Sequence, residues 1–76
     1  MKKVKLPKRF CELFEKLKKI GLFDESTRFS NIWLRNGTVV LNSVVDVSGE
    51  YIWVPDEFFW ITEHDIGDIK ASFKKM

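Results

Sequence analysis

The chain has one histidine, His64, and Asp65 and Asp68 lie within four residues of it. Nucleophilic catalysis needs a hydroxyl or thiol, a base and an orienting group held together. These residues sit on a polar stretch where histidine and acids are commonplace, so a hydrogen-bonded turn or interface histidine is the plainer reading. Cys11, the only cysteine, stands among Phe10, Leu13 and Phe14. It reads as a buried apolar residue before it reads as a reactive thiol. One histidine and one cysteine are too few soft ligands for a tight zinc site. Asp56-Glu57 follows Pro55 and reads as a turn. Glu63, Asp65 and Asp68 offer a weak cation site at most, without calcium-loop spacing. No glycine-rich phosphate loop is present. The expectation is a non-enzymatic protein without a cofactor or resident metal.

Binding chemistry has more material. Lys2, Lys3, Lys5, Lys8 and Arg9 form a basic arm, and Lys70, Lys74 and Lys75 a basic tail. Termini often lie close together in small domains, which would merge the two into one patch for an anion such as nucleic acid. Trp33, Trp53 and Trp60 offer stacking faces, and with Tyr51 they are also candidates for a partner or subunit interface. The intervening chain opposes the first reading. Residues 24–69 hold two arginines and nine acids, a net of −7, against +6 for residues 1–23 and +3 for residues 70–76. Such a layout serves solubility, anion binding, or a head-to-tail contact between basic and acidic regions of neighbouring subunits.

Positioning these residues falls to one small domain, since 76 residues allow a single modest core. A hydrophobic content of 45% is too high for a disordered chain. Three Trp and seven Phe exceed what a core this size buries, which leaves aromatic surface for a ligand or a subunit. No apolar run approaches a transmembrane helix, and no apolar signal-peptide core follows the basic start, so a cytoplasmic protein is expected. The absence of any disulfide within the chain fits a reducing compartment and leaves oligomerisation as the remaining aid to stability.

Phe10, Leu13, Phe14, Leu17 and Ile20 share one helical face, which predicts an amphipathic helix over about 7–20. Pro7 opens it and Gly21 closes it, with Leu22 folding back toward Leu17. Glu12–Lys16 and Glu15–Lys19 have the spacing of helical ion pairs. A polar connector, 24–29, follows. The pattern then changes to period two, with strands expected at about 30–35, 38–47, 51–54 and 58–62. Asn36-Gly37 marks the first hairpin, with both residues at positive φ. Val39, Leu41, Val45 and Val47 are expected on one face of the second strand, and Thr38, Asn42 and Asp46 on the other. From about residue 65 two readings stand. Ile66 and Ile69 begin a short closing strand, or Thr62 and Asp65 cap a second helix bearing Ile66, Ile69 and Phe73 on one side.

A helix, a connector and a bent antiparallel meander with an early Asn-Gly hairpin is an order that resembles the Sm-like family, including bacterial Hfq. Asn31-Ile32-Trp33-Leu34-Arg35-Asn36-Gly37 is similar to that family's first strand and turn. His64, with Ile66 and Ile69 after it, looks like the stretch that leads into the family's last strand. The family usually has a glycine at the second-strand bend, where Asn42 or Ser43 stands here. It has a lysine where Glu63 stands, and an aromatic where Thr62 stands. The resemblance implies an α+β fold, with the helix across one end of a four- or five-stranded small barrel. It also implies a homo-oligomer joined by edge strands or exposed aromatics, and regulatory binding of RNA, here through the basic termini. The competing expectation is a protein-binding adaptor or inhibitor using an acidic, Trp-bearing strand face.

Overall fold

The computed structural model describes residues 1–71. In chain order the elements are β1 (Lys2–Lys5), α1 (Lys8–Lys19), α2 (Glu25–Arg28), β2 (Phe29–Leu34), β3 (Val39–Val45), β4 (Tyr51–Val54) and β5 (Ile66–Ala71). Short 3-10 turns at Asp56–Phe58 and Glu63–Asp65 lie between β4 and β5.

Helix α1 forms where the periodicity places it. Pro7, in an extended conformation, supplies the carbonyl for its first bonds. The C-terminus closes as expected: Gly21 N–H donates to the Lys18 carbonyl and Leu22 N–H to the Leu17 carbonyl, with Gly21 at φ 75°. The apolar stripe divides. Phe10 and Phe14 enter the core and Leu17 packs against it, but Leu13 and Ile20 face solvent. The expected Glu12–Lys16 and Glu15–Lys19 pairs do not close. Among the described residues the one ion pair joins the Met1 ammonium to Asp56 at 2.9 Å.

The strands build one antiparallel sheet in the order β1-β4-β3-β2-β5. It curls into a half-barrel, and α1 packs against the concave side, so the class is α+β with the helix N-terminal to most of the sheet. Val4, Ile32, Leu34, Val40, Val45, Ile52, Val54 and Ile66 line the concave side together with Phe10 and Phe14 from α1. Burying each such side chain contributes about 1.5–3 kcal/mol.

Two strand expectations need correction. Residues 2–5, read as a basic arm, form β1, with Lys3 opposite Trp53 and Lys5 opposite Tyr51. Only Val4 in this strand is buried, so alternation had a single apolar residue to show itself on. Residues 58–62 are not a strand. Phe58, Phe59 and Ile61 N–H groups donate to the carbonyls of Pro55, Asp56 and Phe58, which winds the segment into successive tight turns. The sheet position beside β4 that this segment was expected to fill belongs to β1. Fully buried Ile61 pins the segment to the core. After it, residues 66–71 are a strand and not the start of a helix.

The hairpin between β2 and β3 occurs where Asn36-Gly37 predicts it, but with a different turn. Only Gly37 has positive φ, at 92°. Its N–H donates to the Leu34 carbonyl, and Leu34 N–H to the Thr38 carbonyl, which makes a three-residue loop with glycine in the left-handed position.

Two bulges curl the sheet, one on each side of β2. Between the pairs Ser30–Ser43 and Ile32–Val40, β2 advances two residues and β3 three. The extra residue lies at Leu41-Asn42, where Asn42 has φ 63°. This bulge reverses the alternation of β3: Val40, Ser43 and Val45 point inward, whereas Val39 and Leu41 are exposed. The expected shared face of Val39, Leu41, Val45 and Val47 is therefore wrong, and Val47 falls in the following turn. On the other side, β5 advances from Ile66 to Asp68 while β2 moves one residue, leaving Gly67 as the extra residue. A Cβ on Gly67 would stand 3.0 Å from the Trp33 carbonyl oxygen. The bulge brings Ile66 and Ile69 to the same face, although they are three positions apart.

Asn42 holds a left-handed conformation that costs most side chains about 1–2 kcal/mol. Asn42→Gly is expected to leave the urea midpoint nearly unchanged, and Asn42→Val to destabilise by roughly 1–2 kcal/mol or more. Equal destabilisation by both in urea titrations would show that the bend does not depend on this backbone conformation.

Candidate nucleic-acid interface

Residues directly opposite in an antiparallel pair share a sheet face. From Lys3 on β1 the register runs to Trp53 on β4, to Val44 on β3 and to Phe29 on β2, all on the convex side. With strands about 4.8 Å apart, this row extends about 14 Å. A second row joins Val39, Trp33 and Asp68. Tyr51 and Trp53 are half-buried, as is Trp33, while Phe29, Val39 and Leu41 are exposed. Convex-side aromatics thus occur at both flanks of the curled sheet.

Cations lie over these rings. The Lys3 ammonium is 4.6 Å from the Tyr51 ring centroid and 5.6 Å from that of Trp53. Lys5 is 5.8 Å from Tyr51, and Lys70 is 5.2 Å from Trp33. Such contacts are favourable because the ring face is electron-rich. Acids also touch this side. Asp68 is in register with Trp33, its carboxylate accepting from Ile69 N–H.

Asp46 fixes the orientation of one ring. Its carboxylate accepts from the Trp53 indole N–H at 3.0 Å, the Ser48 hydroxyl at 2.8 Å and the Ser48 N–H at 3.2 Å. These bonds pull the Asp46 carboxyl from the ordinary 3.8 to about 2, the indole contributing most. Lys3 lowers it further, and burial opposes the shift. A ring held by its edge keeps its faces in a fixed plane, the preorganisation that a stacking surface needs.

The sequence-predicted basic residues separate into two groups. Lys3, Lys5 and Lys70 gather on the convex face with Tyr51, Trp53 and Trp33. Lys2, Lys8 and Arg9 do not. Lys2 donates to the Phe59 and Ile61 carbonyls and holds the β4–β5 connection against the edge of the sheet. Arg9 donates to the Gly67 carbonyl at 2.8 Å and to that of Ile66, spanning from α1 to the start of β5. Lys8 is exposed on α1. Lys74 and Lys75 lie outside the described residues. Trp60 is on the β4–β5 connection, with its ring 6.3 Å from Phe58, and not on a strand with the other tryptophans.

His64 is exposed on a 3-10 turn, where its carbonyl accepts from Arg35. Asp65 is engaged in a capping box with Thr62. Among the described residues no three His, Cys, Asp or Glu side chains converge as metal ligands. Half-buried Cys11 lies 3.6 Å from Lys5 Nζ. Among the described residues no helix is long and apolar enough to cross a membrane. Sequence reasoning missed Phe29, placed in a connector, and Val39 and Leu41, expected on one face with Val45 and Val47. It also missed Asp46, for which the Asp-x-Ser spacing of an Asx-type turn was the available signal.

The fold is thus that of an α+β protein with a curled five-stranded antiparallel sheet. The chain matches no protein-family model, no curated protein and no solved structure.

Asp46 sets a pH dependence. Its folded-state pKa is depressed, so its contribution to stability is present above the unfolded value of 3.8 and is lost as pH falls through about 2. The wild-type chain is expected to lose more stability than Asp46→Asn between about pH 4 and pH 2. Urea titrations followed by tryptophan fluorescence check this; parallel losses in both chains would mean that the Trp53–Asp46 bond does not carry the dependence.

Proposed function

We propose that this chain is a non-enzymatic binding module that takes single-stranded nucleic acid, in the first instance RNA, on the convex face of its sheet. The observation that carries the reading is the placement of Lys3, Lys5 and Lys70 over the rings of Tyr51, Trp53 and Trp33. Single-stranded nucleic acid presents phosphates and flat bases in alternation, and a face that offers cations beside aromatic rings meets both. A duplex keeps its bases stacked inside and gives such rings nothing to stack on. The charge layout is mixed. The strand region is acidic in sum; Asp56, Glu57 and Glu63 belong to the β4–β5 connection, whereas Asp46 and Asp68 lie beside the rings of Trp53 and Trp33.

Kinship with Sm-like proteins is part of this proposal. It rests on the helix before the sheet, the hairpin at Asn36-Gly37, and a bend in β3 supplied by Asn42 in place of glycine. A regulatory role follows from that kinship alone. The adaptor reading, with an acidic Trp-bearing strand face, is less well supported at Trp33 and Trp53, whose rings have lysines over them. Trp33 and Trp53 also have Asp68 and Asp46 beside them, and Trp60 lies near Asp56 and Glu57 in sequence.

Binding of short fluorescent oligouridine is expected to weaken with salt, with a log–log slope of about −2 if three lysines each neutralise one phosphate. Trp53→Ala and Trp33→Ala are each expected to cost about 1–3 kcal/mol of binding. Lys3→Glu, Lys5→Glu and Lys70→Glu should weaken it further, while Lys8→Glu has little effect. The contrary pattern, with binding lost at Lys8 and unaffected at Trp33 and Trp53, would move the site off the convex face. No binding at low salt would end the reading.

A further inference from the structure

Two exposed apolar patches lie off the convex face. One is the β4–β5 connection, where Phe59 is 69% exposed and Trp60 43%, beside Asp56 and Glu57. The other is the outer flank of α1, where Ile20 is 65% exposed and Leu13 44%. Lys16 lies between those two, three residues after Leu13 and four before Ile20, so helical geometry puts all three side by side. Neither Glu57 nor Lys16 is in an ion pair among the described residues. One patch is aromatic with acids, and the other aliphatic with a base.

The patches are at opposite ends of the sheet. The connection sits by the start of β1, where Met1 pairs with Asp56 and Lys2 holds the Phe59 carbonyl. The C-terminal half of α1 sits by the turn between β3 and β4. There Lys18 donates to the Ser48 carbonyl, and Gly49 abuts Phe14. Leu6, just after β1, donates to Glu50 in that same turn, so the length of β1 separates the patches. A chain cannot cover one of its patches with the other, but a second copy can. The β1 edge of the sheet is less suited to this. β1 carries lysines at three of its four positions, which discourages pairing with another strand.

We propose that this chain associates with itself head to tail, the Phe59–Trp60 connection of one copy seating on the Leu13–Ile20 flank of α1 of the next. Glu57 faces Lys16 across the contact, while Asp56 stays with the Met1 ammonium of its own copy. Because the two surfaces differ, a pair of copies retains one free surface of each kind, and assembly continues until a ring closes or a filament grows. The contact leaves Trp33, Trp53 and the convex face untouched, so it stands or falls apart from nucleic-acid binding.

The test uses nucleic-acid-free full-length chain and sedimentation velocity over rising concentration. Wild type should pass beyond dimer, and added salt should shift it back toward monomer. A connection variant, Phe59→Ser with Trp60→Ser, and a flank variant, Leu13→Ser with Ile20→Ser, should each be monomeric. All four side chains are exposed, and circular dichroism verifies the fold of both variants. Mixed in equal amounts, the two should form a one-to-one dimer that grows no further, since each retains one working surface. A wild type that stays monomeric at millimolar concentration overturns the proposal. So does assembly in either variant alone, or a failure of the folded variants to combine. Trp53→Ala should assemble as wild type does, and loss of assembly there would place the contact on the convex face instead.

Discussion

Curvature governs this structure. An antiparallel sheet with side chains alternating strictly would present two flat faces, and a domain this small cannot cover both. The bulge at Leu41-Asn42 on β3 and the bulge at Gly67 on β5 flank β2 and curl the sheet around one side. The concave side then closes on Phe10 and Phe14, and the convex side opens with its rings spread outward. Core and candidate interface are consequences of the same two extra residues.

The open curl leaves two edges, and long basic side chains secure both. Lys2 and Arg9 spend their charged ends on backbone carbonyls of the β4–β5 connection and of β5. Such bonds satisfy backbone carbonyls of the connection and of the edge strand β5. Residues of one chemical type thus do different work. Lys3 and Lys5 lie over convex rings, Lys2 and Arg9 bind the fold together, and Lys8 and Lys16 remain exposed. Along the chain these six look like one basic region. Alternation on β1 and the 3.6-residue turn of α1 send them to different faces.

The tryptophans separate in the same way. Trp33 and Trp53 belong to one face because β2 and β4 both pair with β3, a relation between residues twenty apart. Trp60 leaves that face because Pro55 begins a run of turns where apolar content suggested a strand. Phe58, Phe59, Trp60 and Ile61 have the composition of a strand, but the turns present Phe59 and Trp60 to solvent and keep only Ile61 fully buried.

Local signals in the sequence determined α1 and its Gly21 stop, the hairpin at Asn36-Gly37, the strands β2 and β4 to within a residue or so, and the α+β class. Each depends on residues within a few positions of one another, where periodicity and turn chemistry act directly. Only the tertiary structure decided that Lys2–Lys5 is a strand, because one buried valine gives no period and the pairing partner lies some fifty residues away. Only it decided which valines of β3 face inward, because a single left-handed residue, Asn42, reverses every side chain beyond it. It also resolved the last element. Ile66 and Ile69 have helical spacing, and a bulge at Gly67 produces the same shared face in a strand. The gathering of Lys3, Lys5 and Lys70 about three rings was legible only as an inventory of residue types, since strand order, which is set by long-range packing, is what brought them together.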